Sequence, residues 1–470
     1  MPLFGAFLAD SYLGRFLTIA LGSIASLLGM LLLCLTAMIP EARPPPCNPF
    51  ATHSCKSPTS AQMTLLISSF AIMSIGAGGT RPSLSILIAF TGIVYIQDHL
   101  GWKVGFGVPT ILMFLSAFFF FLASPLYVMK KPSKSIFTSF LQVLVAAYRK
   151  RKFPLPHTDL SYKWYYQKGS KLVLPTNKLW FLNRACIIRN TGKEMAPNAS
   201  AASDPWNFCT IEQVEELKAL IKVLPLWSTG IMVSISTTQS SFPLLQAKSM
   251  NRHITSSFKI PAASFGLFSI VALIVWVALY YRVVIPLASK IKGKPMWLGA
   301  KQRMGIGVFL SCLAMVVSAN VEKIRRGRAI QEGFMNNANE DSQMSALWLV
   351  PQYCLIGLAE AFNAIGQIEF YYAELPKSMS SIAMALFQLG MGFASLTASV
   401  IVSTVNKITS SGGKDSWVSK NIDKGHYDKY YWLLAVLSFI NLLYFFVCSW
   451  IYGPAGIELV SEIKDGQIGE

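Results

Sequence analysis

Long apolar blocks separated by polar connections run the length of this chain. Leu17–Ile39 and Val104–Val128 each pass without a charged residue. A bilayer core takes about 20 apolar residues per helix, and a helix satisfies its backbone polar groups within its own segment. Ten blocks read as spans: Leu17–Ile39, Met63–Gly79, Ser83–Gln97, Val104–Val128, Lys218–Phe242, Ala262–Tyr281, Met304–Val321, Ser345–Tyr372, Ser380–Val405 and Tyr431–Tyr452. Ser83–Gln97 is short, and only Thr80-Arg81-Pro82 parts it from the block before. Core helices of a soluble protein are the alternative, and they fail on the number of such blocks. The pattern predicts an all-α polytopic membrane protein.

Composition agrees: the 470 residues are 53% hydrophobic and only 14% charged. The net charge of +18 would suit a nucleic-acid binder. Its placement excludes that partner, because the cations sit in the connections. Met129–Cys209 holds a long run of Lys and Arg against Asp159, Glu194 and Asp204, and Arg282–Arg303 has no acid at all. By the positive-inside rule both connections are cytoplasmic. The loop Pro40–Ala61 then lies on the far side, and an odd number of crossings must separate it from Met129. Counting also puts the basic cluster Lys323–Arg328 outside, against the rule.

The chain divides into an N-terminal bundle over 1–129, a basic cytoplasmic linker over 130–210, a C-terminal six-helix bundle over 211–455 and a cytoplasmic tail over 456–470. In the linker, Phe137, Phe140, Leu141, Leu144 and Tyr148 recur at helical spacing before the basic run Arg149–Lys152. Such an amphipathic helix lies in the inner membrane interface or packs as an ordinary linker helix. The sequon Asn198-Ala-Ser200 falls in this linker and should stay unused. Cys47 and Cys55 share a Pro-rich far-side loop, where a disulfide is one reading and two free thiols the other. Cys34, Cys312, Cys354 and Cys448 fall inside apolar blocks as small hydrophobes. Met1–Arg15 lacks the features of a cleavable signal.

Ionisable groups within spans default to function. Glu360 sits mid-span, and Asn363, Gln367 and Tyr371 fall on its helical face. Glu369 points to the opposite face. A polar face with one carboxylate suits a water-filled cavity for a solute or proton; a structural carboxylate paired with a buried Arg is the alternative. Gly230, Ser234, Thr237 and Ser241 form a second small, polar stripe, and Gln388, Gly392, Ser395 and Ser399 a third. Either stripe alone also suits close helix packing. Arg81 either faces the cavity or marks a hairpin. The five histidines are scattered without metal spacing, and no phosphate loop, nucleophile elbow or carboxylate pair occurs. The chain reads as no enzyme, with no cofactor and no metal.

Three segments carry a family resemblance. Gly5-Ala-Phe-Leu-Ala-Asp10-Ser-Tyr-Leu-Gly14-Arg15-Phe16, Gly76-Ala-Gly-Gly-Thr-Arg81-Pro82 and Asn363-Ala-Ile-Gly-Gln-Ile-Glu369-Phe-Tyr-Tyr-Ala-Glu-Leu-Pro376 resemble motifs of the plant nitrate/peptide transporter family, the proton-coupled oligopeptide branch of the major facilitators. The resemblance runs from Met1 to about Gly453. It implies the major facilitator fold, two helical bundles with alternating access and both termini in the cytosol. It implies gating roles for Asp10 and Arg15, with Arg81 and Glu360 facing the cavity. Against the family pattern, the chain begins after a first helix bearing a proton-coupling Glu-x-x-Glu-Arg motif. Most of the second helix, and part of the fifth after Arg81-Pro82, are also missing. The nitrate-binding histidine of the best-known plant member aligns with Thr237.

The expectation is therefore proton-coupled uptake of a small anionic solute, nitrate first, at the plasma membrane, the family's commonest address. The substrate-binding set is Glu360, Arg81, Thr237, Asn363, Gln367 and Gln388. Peptides or carboxylate hormones are the alternative substrates, and a truncated, non-transporting isoform is the rival of another class.

Overall fold

The computed structural model describes residues 13–44, 57–76, 93–127, 136–152, 175–176, 179–187, 209–239, 241–255, 259–293, 298–333, 342–411, 415–419 and 421–453, with isolated positions between. Among the described residues the N-terminal group contains α1 (Gly14–Met38), α2 (Ser60–Gly76) and α3 (Val94–Leu122). Helix α1 packs on both others, and Phe16 stacks on Phe120 at 5.3 Å. Helix α3 starts ten positions before the apolar block does. Gly101, at φ +80, breaks its regular geometry, a conformation that costs glycine little. Asp10, Arg81, Cys47, Cys55 and most of Ser83–Gln97 lie outside the described residues, as does the side chain of Arg15.

The linker contributes α4 (Ile136–Arg149) and a 3-10 helix, Trp180–Cys186. Phe140, Val143, Ala146 and Ala147 of α4 are buried with Leu182, Ala185 and Cys186 of the 3-10 helix. The buried Lys150 ammonium donates to the Ile187 carbonyl at 2.7 Å. The packed stripe lies beside the one read from the spacing. Of the expected residues only Phe140 belongs to it, while Leu141, Leu144 and Tyr148 are exposed. The side chain of Phe137 lies outside the description.

The C-terminal group holds α5 (Ile211–Thr238), α6 (Ser241–Lys248), α7 (Gly266–Leu279), α8 (Ile285–Lys292), α9 (Ala300–Gln331), α10 (Val350–Glu374), α11 (Ser380–Thr409) and α12 (Tyr427–Tyr452). Helix α5 begins earlier than its apolar block because Thr210 caps it. The Thr210 hydroxyl accepts from the Gln213 amide at 3.3 Å, and the Gln213 side chain accepts from the Thr210 amide at 2.9 Å. Helix α7 passes through a π turn, Tyr280–Val284, into α8. The interruption fits Pro286, which has no N–H for the helical ladder. Two short strands, β1 (Met250–Asn251) and β2 (Ser342–Ser345), pair in parallel beyond the helices.

Among the described residues, seven stretches are long and apolar enough to cross a membrane. Helix α2, of 17 residues, is shorter, and α10 matches the others in length but carries a polar face.

A second ten-residue departure from the hydrophobic pattern is at the end of α9, which runs to Gln331, past Val321. This absorbs the basic cluster that broke the charge rule. Arg325 is fully buried. Its guanidinium meets Glu322 Oε1 at 2.8 Å and Asp423 Oδ1 at 2.6 Å. The Gln246 amide donates to Glu322 Oε2 at 2.7 Å, and its Oε1 accepts from Gln352 at 3.1 Å and from the Tyr431 hydroxyl at 3.2 Å. Arg325 is therefore a buried, paired charge and not a loop cation available to anionic lipid, so it carries no weight in a topology count.

Candidate functional site

Helices α5, α10 and α11 carry the three polar stripes, and they pack on one another. Trp227 of α5 ties to α11, its indole N–H donating to the Leu386 carbonyl at 2.8 Å. Ser236 of α5 meets Ser311 of α9, hydroxyl to hydroxyl, at 3.0 Å.

The polar face of α10 separates into two parts. Asn363 and Gln367 are buried and bonded to each other, the Gln367 amide donating to Asn363 Oδ1 at 3.4 Å. Both lie over glycines of neighbouring helices. A Cβ at Gly307 of α9 would stand 2.8 Å from the Asn363 backbone nitrogen, and one at Gly230 of α5 would stand 1.5 Å from Gln367 Nε2. These two amides serve helix contact, with the small residues admitting them. Tyr371 is also fully buried.

Glu360 is the other part. It is half-buried, and among the described residues it has no hydrogen bond and no ion pair. The other two carboxylates of α10 are both paired. Glu369 binds Arg303 at 2.7 Å, and Glu374 binds Lys222 at 3.2 Å. Arg303 and Arg325 are the buried arginines of this group, and both have other acids. The structural alternative for Glu360, a buried Arg partner, is not realised among the described residues.

The remaining candidates line helix surfaces. Thr237 is half-buried, and its hydroxyl donates back to the Ser234 carbonyl at 2.9 Å. Gln388 is half-buried with no hydrogen bond among the described residues. Gly392, Ser395 and Ser399 continue its stripe on an exposed face of α11, and both serine hydroxyls bond their own helix. The α5 stripe is mixed, since Gly230 is filled by Gln367 while Ser234 and Thr237 stay partly open. Among the described residues no group of His, Cys, Asp or Glu could hold a metal ion.

What this arrangement offers is a carboxylate without a partner among the described residues, on a helix whose amides are engaged in helix contacts. A carboxylate without a fixed counter-charge can take up and release a proton or meet a diffusing ligand. A paired one is held by its partner.

Comparison with known proteins bears on the family and the fold. Residues 86–418 match the family PTR2, described as the POT family. Protein NRT1/PTR FAMILY 1.2 of Arabidopsis thaliana is 54% identical, the match covering 99% of this chain and 82% of the relative. Protein NRT1/PTR FAMILY 1.1 of the same plant is also 54% identical, over 100% of this chain and 84% of the relative. Among solved structures, the POT family transporter PepTSo aligns with a TM-score of 0.61 at 17% identity, covering 96% of this chain and 86% of that one. An auto-inhibited POT family peptide transporter aligns at 0.62 and 18%, over 95% and 84%. These two give the fold, a major-facilitator arrangement of two helical groups. With a family match over most of its length and relatives at this identity, the chain belongs to the POT family, within its plant NRT1/PTR branch, and is a multi-pass membrane transporter and not an enzyme.

Proposed function

We propose that this transporter takes up a small anionic solute, nitrate first, together with protons, by alternating access between its two helical groups. The observation that carries the reading is Glu360, a carboxylate in a membrane-spanning helix with no partner among the described residues. Glu360 accepts the coupling proton. Arg81 supplies the positive charge that draws the anion, and Thr237 and Gln388 line its path. Asn363 and Gln367 shape the cavity from behind, through the contacts of α10 with α5 and α9. Asp10 and Arg15 form the cytoplasmic gate. The basic linker faces the cytosol, and the plasma membrane is the host.

A second reading is favoured by the chemistry of known ligands in the fold. One POT family structure, matching at TM-score 0.57, holds 5-aminolevulinic acid. In this chain the same cavity would take a peptide or another carboxylate, with Arg81 meeting the carboxyl group and Glu360 an amino group.

The test is uptake into cells expressing the chain, with an inward proton gradient, across nitrate, a dipeptide and a carboxylate hormone. Gradient-dependent nitrate accumulation supports the first reading. Accumulation of the dipeptide or hormone alone moves the assignment to the second, and failure of all three with the protein at the surface rejects both.

A further inference from the structure

The linker presents a surface that transport does not explain. Helix α4 buries one stripe against the 3-10 helix Trp180–Cys186, yet its opposite side is also apolar. Leu141 is 56% exposed, Leu144 46% and Tyr148 68%. The 3-10 helix adds Trp180 at 53% and Phe181 at 47%. A soluble linker would gain nothing by showing five large apolar side chains to water.

Cations are built into the same surface. The Arg151 guanidinium lies over the Tyr148 ring at 4.3 Å, and that of Arg184 over the Trp180 ring at 5.1 Å. The Arg184 guanidinium also donates to the Arg151 carbonyl, which joins the two stacked pairs into one patch. Neither arginine appears in an ion pair with a described acid. Aromatic rings beside guanidinium groups, with leucines on the same side, are the chemistry of a membrane interface, where rings sit at headgroup depth and cations meet phosphate.

We infer that the exposed face of α4, with Trp180, Phe181, Arg151 and Arg184, docks on the anionic leaflet of the bilayer that the transporter spans. Two observations select that occupant. The surface is basic, with Lys152 and Arg149 beside Arg151 and few acids in the whole linker, so it complements anionic headgroups. It is also tethered at both ends to membrane helices: α3 ends at Leu122, fourteen positions before α4 starts, and α5 starts at Ile211 after the 3-10 helix. The inference rests on the proposed function only for the linker's cytosolic side, and its readout does not involve transport.

The experiment uses the full chain in lipid nanodiscs, with photo-reactive benzoylphenylalanine placed at position 144 or 148. Discs contain either phosphatidylcholine alone or phosphatidylcholine with phosphatidylserine. After irradiation, mass spectrometry should show phospholipid adducts at these positions, at least threefold more abundant in the anionic discs. The double variant R151E/R184E should lose that excess. Because this variant could disturb the 3-10 helix, Arg151→Gln with Lys152→Gln, both on the exposed side, serves as a second test and should lower the excess too. Cross-links to another segment of this chain or to a second copy in place of lipid would overturn the inference. Lipid adducts equally abundant in neutral and anionic discs would overturn it as well.

Discussion

Arg303 of α9 and Glu369 of α10 meet at 2.7 Å, nine positions along the helix from Glu360. The pair fixes how the polar residues of α10 divide. Arg303 also lies over the Tyr280 ring at 5.3 Å, so it is held between the π turn after α7 and helices α9 and α10. With Arg303 engaged at Glu369 and Arg325 at Glu322 and Asp423, neither buried arginine of the C-terminal group serves Glu360. Glu360 is thus the acid of α10 with no cation partner among the described residues.

The buried cluster around Arg325 should behave as a structural lock. Removing one partner of a buried ion pair costs about 3–5 kcal/mol, because the other charge is left uncompensated. Asp423→Asn and Glu322→Gln should each lower the thermal unfolding midpoint of the detergent-solubilised protein by several degrees. Replacing the charged trio together, as Glu322→Leu, Arg325→Met and Asp423→Leu, should recover much of the loss. Midpoints unchanged in both single variants would show that the cluster does not stabilise the fold.

The contact between Gly230 and Gln367 predicts a coupled pair. A methyl at Gly230 would collide with the Gln367 amide, and overpacking of this kind costs about 1–3 kcal/mol. Gly230→Ala should therefore destabilise α5 against α10, and Gln367→Ala in the same protein should restore most of it. A thermal double-mutant cycle measures the coupling. Additive effects of the two changes would show that the amide does not fill that space.

Much of this architecture was legible in the pattern of apolar blocks, because lipid demands long uncharged helices and little else. The misplacements have specific physical causes. Helix α3 reads short because Gly101 breaks its geometry and polar residues precede it. Helix α9 reads short because Lys323–Arg328 looks like a loop, and burial of Arg325 depends on Asp423, 98 residues away. The spacing of Glu322 and Arg325 was the one local signal of it. Helical periodicity put Glu360, Asn363 and Gln367 on one face, but it cannot distinguish an amide facing a cavity from one seated over a neighbour's glycine. Only the partner helices decide that.

The linker thiols give a prediction in pH. Burial pushes the Cys186 thiol up to about 12 and the Cys209 thiol to about 11. Raised values keep both as neutral thiols near pH 7.5, and the thiolate is the reactive form. Maleimide should modify Cys209 more slowly than a free peptide cysteine at pH 7.5, with the gap narrowing as the pH rises, and both sites should react after denaturation. Labelling of native protein at the peptide rate would mean that the α4 and 3-10 helix packing opens readily in solution.

The cap on α5 is a further local test. Thr210→Ala removes the side-chain acceptor for the Gln213 amide, a change that costs about 1 kcal/mol. It should raise the rate of limited proteolysis around position 210 without altering the expression level. An unchanged cleavage pattern would show that tertiary packing alone holds the start of α5.

The most direct measurement is proton-driven uptake by Glu360→Gln compared with the unaltered chain, in cells where both reach the surface equally. With nitrate, or with whichever solute the unaltered chain accumulates, the account predicts that the variant loses at least tenfold of gradient-dependent uptake and no longer responds to external pH, while still exchanging solute already bound on the two sides. Uptake with an unchanged pH response would contradict it, and would move proton coupling away from the free carboxylate of α10.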